Sequence, residues 1–173
     1  MNINELKSLK KERRQQLAQH LDKTEIRFLV QTLTEKDDMI RYNALLLLQA
    51  NSRQFPLTYE HWDELAEKLD NLNSYQRSIG LMLISENVRW DNDGKFDKII
   101  HKYIRCCTDE KFITSRQAIQ GLANVLSSTD EYDDKIREGL THLSLSQYKE
   151  NQQKLLNKDI SNILGMIKSR PKT

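Results

Sequence analysis

Three stretches of this chain repeat one pattern at nearly constant spacing, and that limits what it can fold into more than any other feature. Residues 35–48 (EKDDMIRYNALLLL), 71–84 (NLNSYQRSIGLMLI) and 110–123 (EKFITSRQAIQGLA) align, each with a polar residue six positions ahead of an arginine. The arginines are Arg41, Arg77 and Arg116, spaced 36 and 39 residues apart, and Lys154 fills the slot in a weaker fourth copy 38 residues on. After the arginine comes a small residue, Ala44, Gly80 or Ala118, and then aliphatics. A fixed period of this length marks a supersecondary unit that cannot bury its apolar side alone and must stack on its neighbours.

The expected unit is a pair of helices joined by a polar turn, with the arginine one turn into the second helix, where it reaches the turn of its own or an adjacent hairpin. The period falls slightly below the roughly 40 to 47 residues of HEAT and armadillo units. The expected fold is therefore all-α, a right-handed α-α superhelix of HEAT/armadillo-like hairpins with about nine helices. A first helix over residues 3–21 precedes four hairpins: 24–33 with 37–50, 58–69 with 74–87, 95–107 with 113–126, and 132–143 with 147–168. Thr24, Thr58, Ser74 and Ser146 are the expected N-caps, since a side-chain oxygen there accepts from the first unpaired amides. Apolar residues follow helical spacing, as in Phe96, Ile99, Ile100, Tyr103 and Ile104. Five glycines and two prolines leave few helix breakers, which argues against a β-rich chain.

The chain reads as one domain over 1–173, with 1–22 as a capping helix, 23–168 as the hairpins and 169–173 as a tail. Charged residues make up 30% of it, and no apolar run approaches the roughly 18 residues a spanning helix needs. No signal-like apolar stretch opens the sequence, so a cytoplasmic location without membrane contact is expected. Cys106 and Cys107 are adjacent, a spacing that strains a mutual disulfide and supplies no metal pattern. Net charge is +2 but unevenly spread: residues 60–110 hold 11 acidic and 7 basic residues, while Lys7, Lys10, Lys11, Arg13 and Arg14 crowd the first helix.

The stretch NSYQRSIGLMLISENVRWDNDGKFDKIIHKYI, followed by TDEKFITSRQAIQGL, resembles the small HEAT-like proteins of Gram-positive bacteria that carry the label SufBD. The likeness runs over residues 37–163 and is weakest in the first helix. It implies an α-solenoid of unsettled biochemical role. The label points to iron–sulfur assembly, yet nothing here is similar to the β-helical scaffold proteins of that pathway.

Two passages concentrate candidate chemistry. In NVRWDND, Trp90 stands beside Arg89, Asp91 and Asp93 just past a helix, where a ring with neighbouring charges stacks on a base or a cationic ligand. The simpler role is a Trp plug over the helix end with Asp91 or Asp93 capping the next helix. Asp91, Asp93 and Asp97 alternate as in a calcium loop but lack its spacing and terminal Glu. In DEKFITSRQ, Lys111, Thr114, Arg116 and Gln117 crowd a turn and a helix start, where an anion could sit. Arg116, like Arg41 and Arg77, also has the structural role of joining layers. The four histidines lie far apart with no ligand-pair spacing, and no nucleophile elbow or phosphate loop is present, so no metal, cofactor or catalytic residue is expected.

Three functional readings follow. The first is a non-enzymatic scaffold that binds a protein or peptide on its concave face. The second, from a different class, is nucleic-acid binding related in architecture to the HEAT-like alkylpurine DNA glycosylases, with Arg41, Arg77, Arg116 and Lys154 as a basic track and Trp90 and Asp91 as the contact group. The third is self-association: the first helix, through Leu6, Leu9 and Leu17, either caps the stack or pairs with a second copy, giving a monomer or a weak homodimer.

Overall fold

A computed structural model describes residues 1–170 of the chain. It is all-helical, with no strand among the described residues. Ten α-helices follow in order: α1 (Ile3–Lys7), α2 (Lys11–Ala18), α3 (Lys23–Thr32), α4 (Asp38–Ser52), α5 (Trp62–Glu67), α6 (Ser74–Asn87), α7 (Lys95–Arg105), α8 (Phe112–Ser128), α9 (Asp133–Thr141) and α10 (Glu150–Lys168). Short 3-10 segments, Pro56–His61, Lys68–Asp70, Val88–Trp90 and Cys106–Thr108, tighten the chain around α5 and after α6 and α7. The expected tail lies outside the described residues from 171 onward.

The helix count exceeds the expected nine because the first helix breaks. The Ser8 hydroxyl donates back to the carbonyls of Asn4 and Glu5, offering the backbone an alternative to continuing the helix. Leu6 ends fully buried on one side of the break and Ala18 on the other. The second hairpin differs as well. Pro56 stands at the start of a 3-10 turn, which suits its fixed φ and missing N–H, so the chain turns in two residues ahead of Thr58. Thr58 is buried inside that turn and caps nothing.

Other helices start one to three residues from their expected caps. Asp22, not Thr24, caps α3, accepting from the Glu25 amide while the Glu25 carboxylate accepts from the Asp22 amide. Asn73, not Ser74, accepts from the Tyr75 amide at the start of α6. Asp37 accepts from Met39 and Ile40 at the start of α4. The last helix begins at Glu150, beyond the expected Ser146. At α3 and α6 an acid or amide side chain one or two residues before the expected hydroxyl took the cap, whereas α10 starts after Lys149 with no such side chain.

Packing proceeds by neighbours. Helix α4 receives α1, α2 and α3 and packs on α6; α6 packs on α8, and α8 on α10, while α7 lies against α9. One connected cluster of buried apolar side chains runs from Leu6 to Ile167. Close approach is needed where α5 meets α6: a Cβ on Gly80 would stand 2.9 Å from the Leu65 carbonyl oxygen. Ala44 and Ala118, the small residues of the other two copies, are fully buried.

The repeat arginine is a joint. Arg41 donates to the carbonyl of Glu35 at 2.8 Å and Arg77 to that of Asn71 at 2.8 Å, both six residues back, closing their own turns. Arg77 also holds the Asp109 carboxylate of the next hairpin at 2.6 and 2.8 Å, and Arg116 holds Asp159 on α10 at 2.7 Å. Arg41 has no such partner: the equivalent acid, Asp70, pairs instead with Lys102 and Arg105, and Arg41 pairs with Asp38 on its own helix. Other polar ties reach 33 to 43 residues back along the chain: Asn43 donates to the Leu6 carbonyl, Asn51 to that of Ala18, Gln76 to that of Leu33 and Asn87 to the Ser52 hydroxyl.

Candidate functional site

The N-terminal halves of α4, α6, α8 and α10 together border a groove of about 1070 Å³. Its existence follows from α4 and α6 carrying more apolar residues than one buried face needs. On α4, Leu47 and Leu48 face the core, while Met39, Tyr42 and Leu46, at helical spacing, form a second stripe on the groove. On α6, Tyr75 and Met82 do the same, and on α8 Ile113 stands at the helix start. Met39, Tyr42, Tyr75 and Ile113 are 53, 54, 62 and 60% exposed. Of the seven large apolar side chains that are exposed among the described residues, these four share one groove.

Two of the rings are backed by arginines from the preceding layer. The Arg14 guanidinium of α2 lies 6.0 Å from the centre of the Tyr42 ring, and that of Arg41 lies 5.0 Å from the centre of the Tyr75 ring. Between α6 and α8 the wall is polar: the hydroxyls of Ser78 and Thr114 meet at 3.0 Å. Beside them Gln117 lines the groove, and its Oε1 is buried without a hydrogen-bond partner. An unpaired buried acceptor costs on the order of 1 to 3 kcal/mol, which a donor from an occupant would relieve. Lys111 stands just before α8 and Lys149 just before α10, both exposed on the groove.

The eight residues singled out from sequence divide into four sets. Arg41, Lys111 and Gln117 come together on the groove. Arg77 and Arg116 are spent between layers; hydrogen bonding to Asp109 raises the Arg77 guanidinium above its ordinary pKa, and Asp159 does the same for Arg116. Lys154 is an exposed side chain paired with Glu150 at 2.8 Å along α10. Trp90 and Asp91 lie at the opposite end of α6 from the groove. The Trp90 ring N–H donates to the Ser52 carbonyl at 2.7 Å, and Asp91 accepts from the amides of Lys95 and Phe96 at 2.9 and 2.7 Å. The Tyr59 hydroxyl donates to Asp91 as well, and burial together with that bond pushes the Tyr59 phenol well up.

Sequence reading passed over Met39, Tyr42, Tyr75 and Ile113. The signal lies in the apolar residues off the core stripe in the first two copies, Met39, Tyr42 and Tyr75. Cys106 and Cys107 are buried free thiols; burial raises Cys106 to about 11 and Cys107 further still. Among the described residues no cluster of three His, Cys, Asp or Glu side chains is placed to hold a metal ion, and no helix is long and apolar enough to cross a membrane. Comparison with family models, with curated proteins and with solved structures gives no match.

Proposed function

We propose that the chain is a HEAT-like stack of helical hairpins, of the kind carried by the SufBD-labelled proteins, that works as a non-enzymatic scaffold and binds an apolar-faced segment of a partner protein. The second helices of the hairpins, α4, α6, α8 and α10, line the inner side of the stack, and the segment lies across their N-terminal halves. The observation that carries this reading is the gathering of Met39, Tyr42, Tyr75 and Ile113 on one groove. Contiguous exposed apolar surface of this kind is unfavourable in water and marks recognition surfaces. The neighbour-by-neighbour packing and the one-layer reach of the arginines support the hairpin stack.

A nucleic-acid track gains little from the same geometry, since Arg77 and Arg116 are committed to carboxylates and Trp90 and Asp91 are committed to the far end of α6. The first helices read as a cap, because Leu6, Ala18 and Leu21 are buried within their own chain.

The test is fluorescence anisotropy with a labelled amphipathic peptide of about 18 residues, Leu and Phe on one face and Gln on the other, a helix about 27 Å long. Binding should weaken by at least about tenfold in Ile113→Asp, a change at an exposed position that leaves the melting temperature near that of the parent. Equal binding by parent and variant would remove the groove as the site.

A further inference from the structure

The geometry points to an acidic segment as the occupant of this groove, a statement that rests on the groove reading and adds the charge its partner carries. Of the groove's carboxylates, Asp38 pairs with Arg41, while Glu110 is an exposed side chain 3.6 Å from an Arg77 already held by Asp109. The groove's cations are not matched in the same way. Lys111 and Lys149 are exposed on the groove and form no ion pair among the described residues. They stand before consecutive long helices, so the cations recur at the hairpin spacing along one rim.

A second set of cations lies on and before α2. Lys10, Lys11, Arg13 and Arg14 on and before α2 have no ion pair among the described residues, with only Glu12 of opposite sign beside them. Arg14 donates to Asn43 at 3.2 Å and lies over Tyr42, which brings its guanidinium to the α4 edge of the groove. An occupant crossing from α4 to α10 therefore meets Arg14, Lys111 and Lys149, cations that form no ion pair among the described residues, at its start, middle and end, with apolar side chains between. Packed helices lie about 8 to 10 Å apart, so three interfaces span about 25 to 30 Å, matched by a helix of about 18 residues. A segment with an apolar stripe and acidic flanks satisfies both sets of groups: the stripe covers Tyr42, Tyr75 and Ile113, and the carboxylates reach Arg14, Lys111 and Lys149. Charge complementarity of this kind sets partner choice and salt dependence more than it sets total affinity.

The experiment uses three fluorescein-labelled peptides of about 18 residues with one Leu/Phe stripe and with Glu, Gln or Lys on the remaining face, titrated against the full chain. In about 50 mM salt the Glu peptide should bind at least about tenfold tighter than the Gln peptide, and the gap should close in about 0.5 M salt, where screening shortens to a few ångströms. The double variant Lys111→Glu, Lys149→Glu, checked for unchanged helicity, should reverse the order of the Glu and Lys peptides. Equal binding of the Glu and Gln peptides, lost in Ile113→Asp, would overturn the acidic partner and leave the groove standing. Absence of any Ile113-dependent binding would overturn both. A single-stranded oligothymidylate that binds more tightly than the Glu peptide and displaces it would also overturn the acidic-peptide assignment and assign the cations to phosphates.

Discussion

Tyr75 and Trp90 lie at the two ends of α6, and they are used in opposite ways. Trp90 is pinned: its N–H is satisfied by the Ser52 carbonyl, and around it Arg53 and Arg89 grip the buried Glu86 carboxylate while Asn87 bridges to the layer before. Tyr75 is 62% exposed, backed only by Arg41, and faces open groove together with Tyr42 and Ile113. One end of the second helices thus ties its charged groups and the indole N–H to neighbours, and the other leaves apolar surface uncovered. An aromatic residue at a helix end says little about ligand binding until its polar atom and its neighbours are accounted for.

That contrast can be broken first at Asp109. It accepts from Arg77 and from the Lys111 amide, and the two side chains of the ion pair are 6 and 11% exposed. Asp109→Ala leaves a mostly buried guanidinium without its carboxylate and should cost about 3 kcal/mol in urea unfolding at neutral pH. A loss under about 0.5 kcal/mol would mean that Arg77 is free for a ligand after all. Trp90→Ala comes next, with about 2 kcal/mol of lost packing and an orphaned Ser52 carbonyl, and with affinity for the apolar peptide unchanged.

The third effect depends on pH. Cys106 holds its proton to about 11 in the folded chain against 9.0 ordinarily, because burial disfavours the thiolate. The unfolded chain therefore loses this proton first, so the contribution is complete below about pH 9 and drains away as pH rises to about 11. Unfolding measured across that window should fall less steeply in Cys106→Ala than in the parent. Iodoacetamide at neutral pH should label both cysteines only after denaturant is added, since Cys106 and Cys107 are 5 and 0% exposed. The smallest change in stability is expected for Tyr75→Ser, within about 0.5 kcal/mol, and it should nevertheless reduce peptide affinity severalfold.

What could be read in the sequence was what depends on period. The three copies located α4, α6 and α8 closely, and the six-residue step from Glu35 to Arg41 and from Asn71 to Arg77 proved to be a side chain closing its own turn. What could not be read depended on competition between near-equal local choices. Ser8 could continue a helix or fold its hydroxyl back, and Asp22 and Thr24 could each have capped α3. The partner of Arg116 was hidden for another reason, because Asp159 lies 43 residues on, mid-way along α10, at a position where the other copies carry Leu46, Met82 and Gly121. The groove itself required knowing which apolar residues the core had no room for, and spacing alone gives two stripes without saying which is inside.

The polar contacts have a mechanical consequence. Among the described residues no hydrogen bond joins positions more than 44 apart, so α4 and α10 communicate only through α6 and α8. A bound segment lying across all four would be a clamp of a different order, fastening in one piece helices that otherwise are tied only to their immediate neighbours. Occupancy should then be felt most at the chain's two extremities, whose independent unravelling the clamp would suppress.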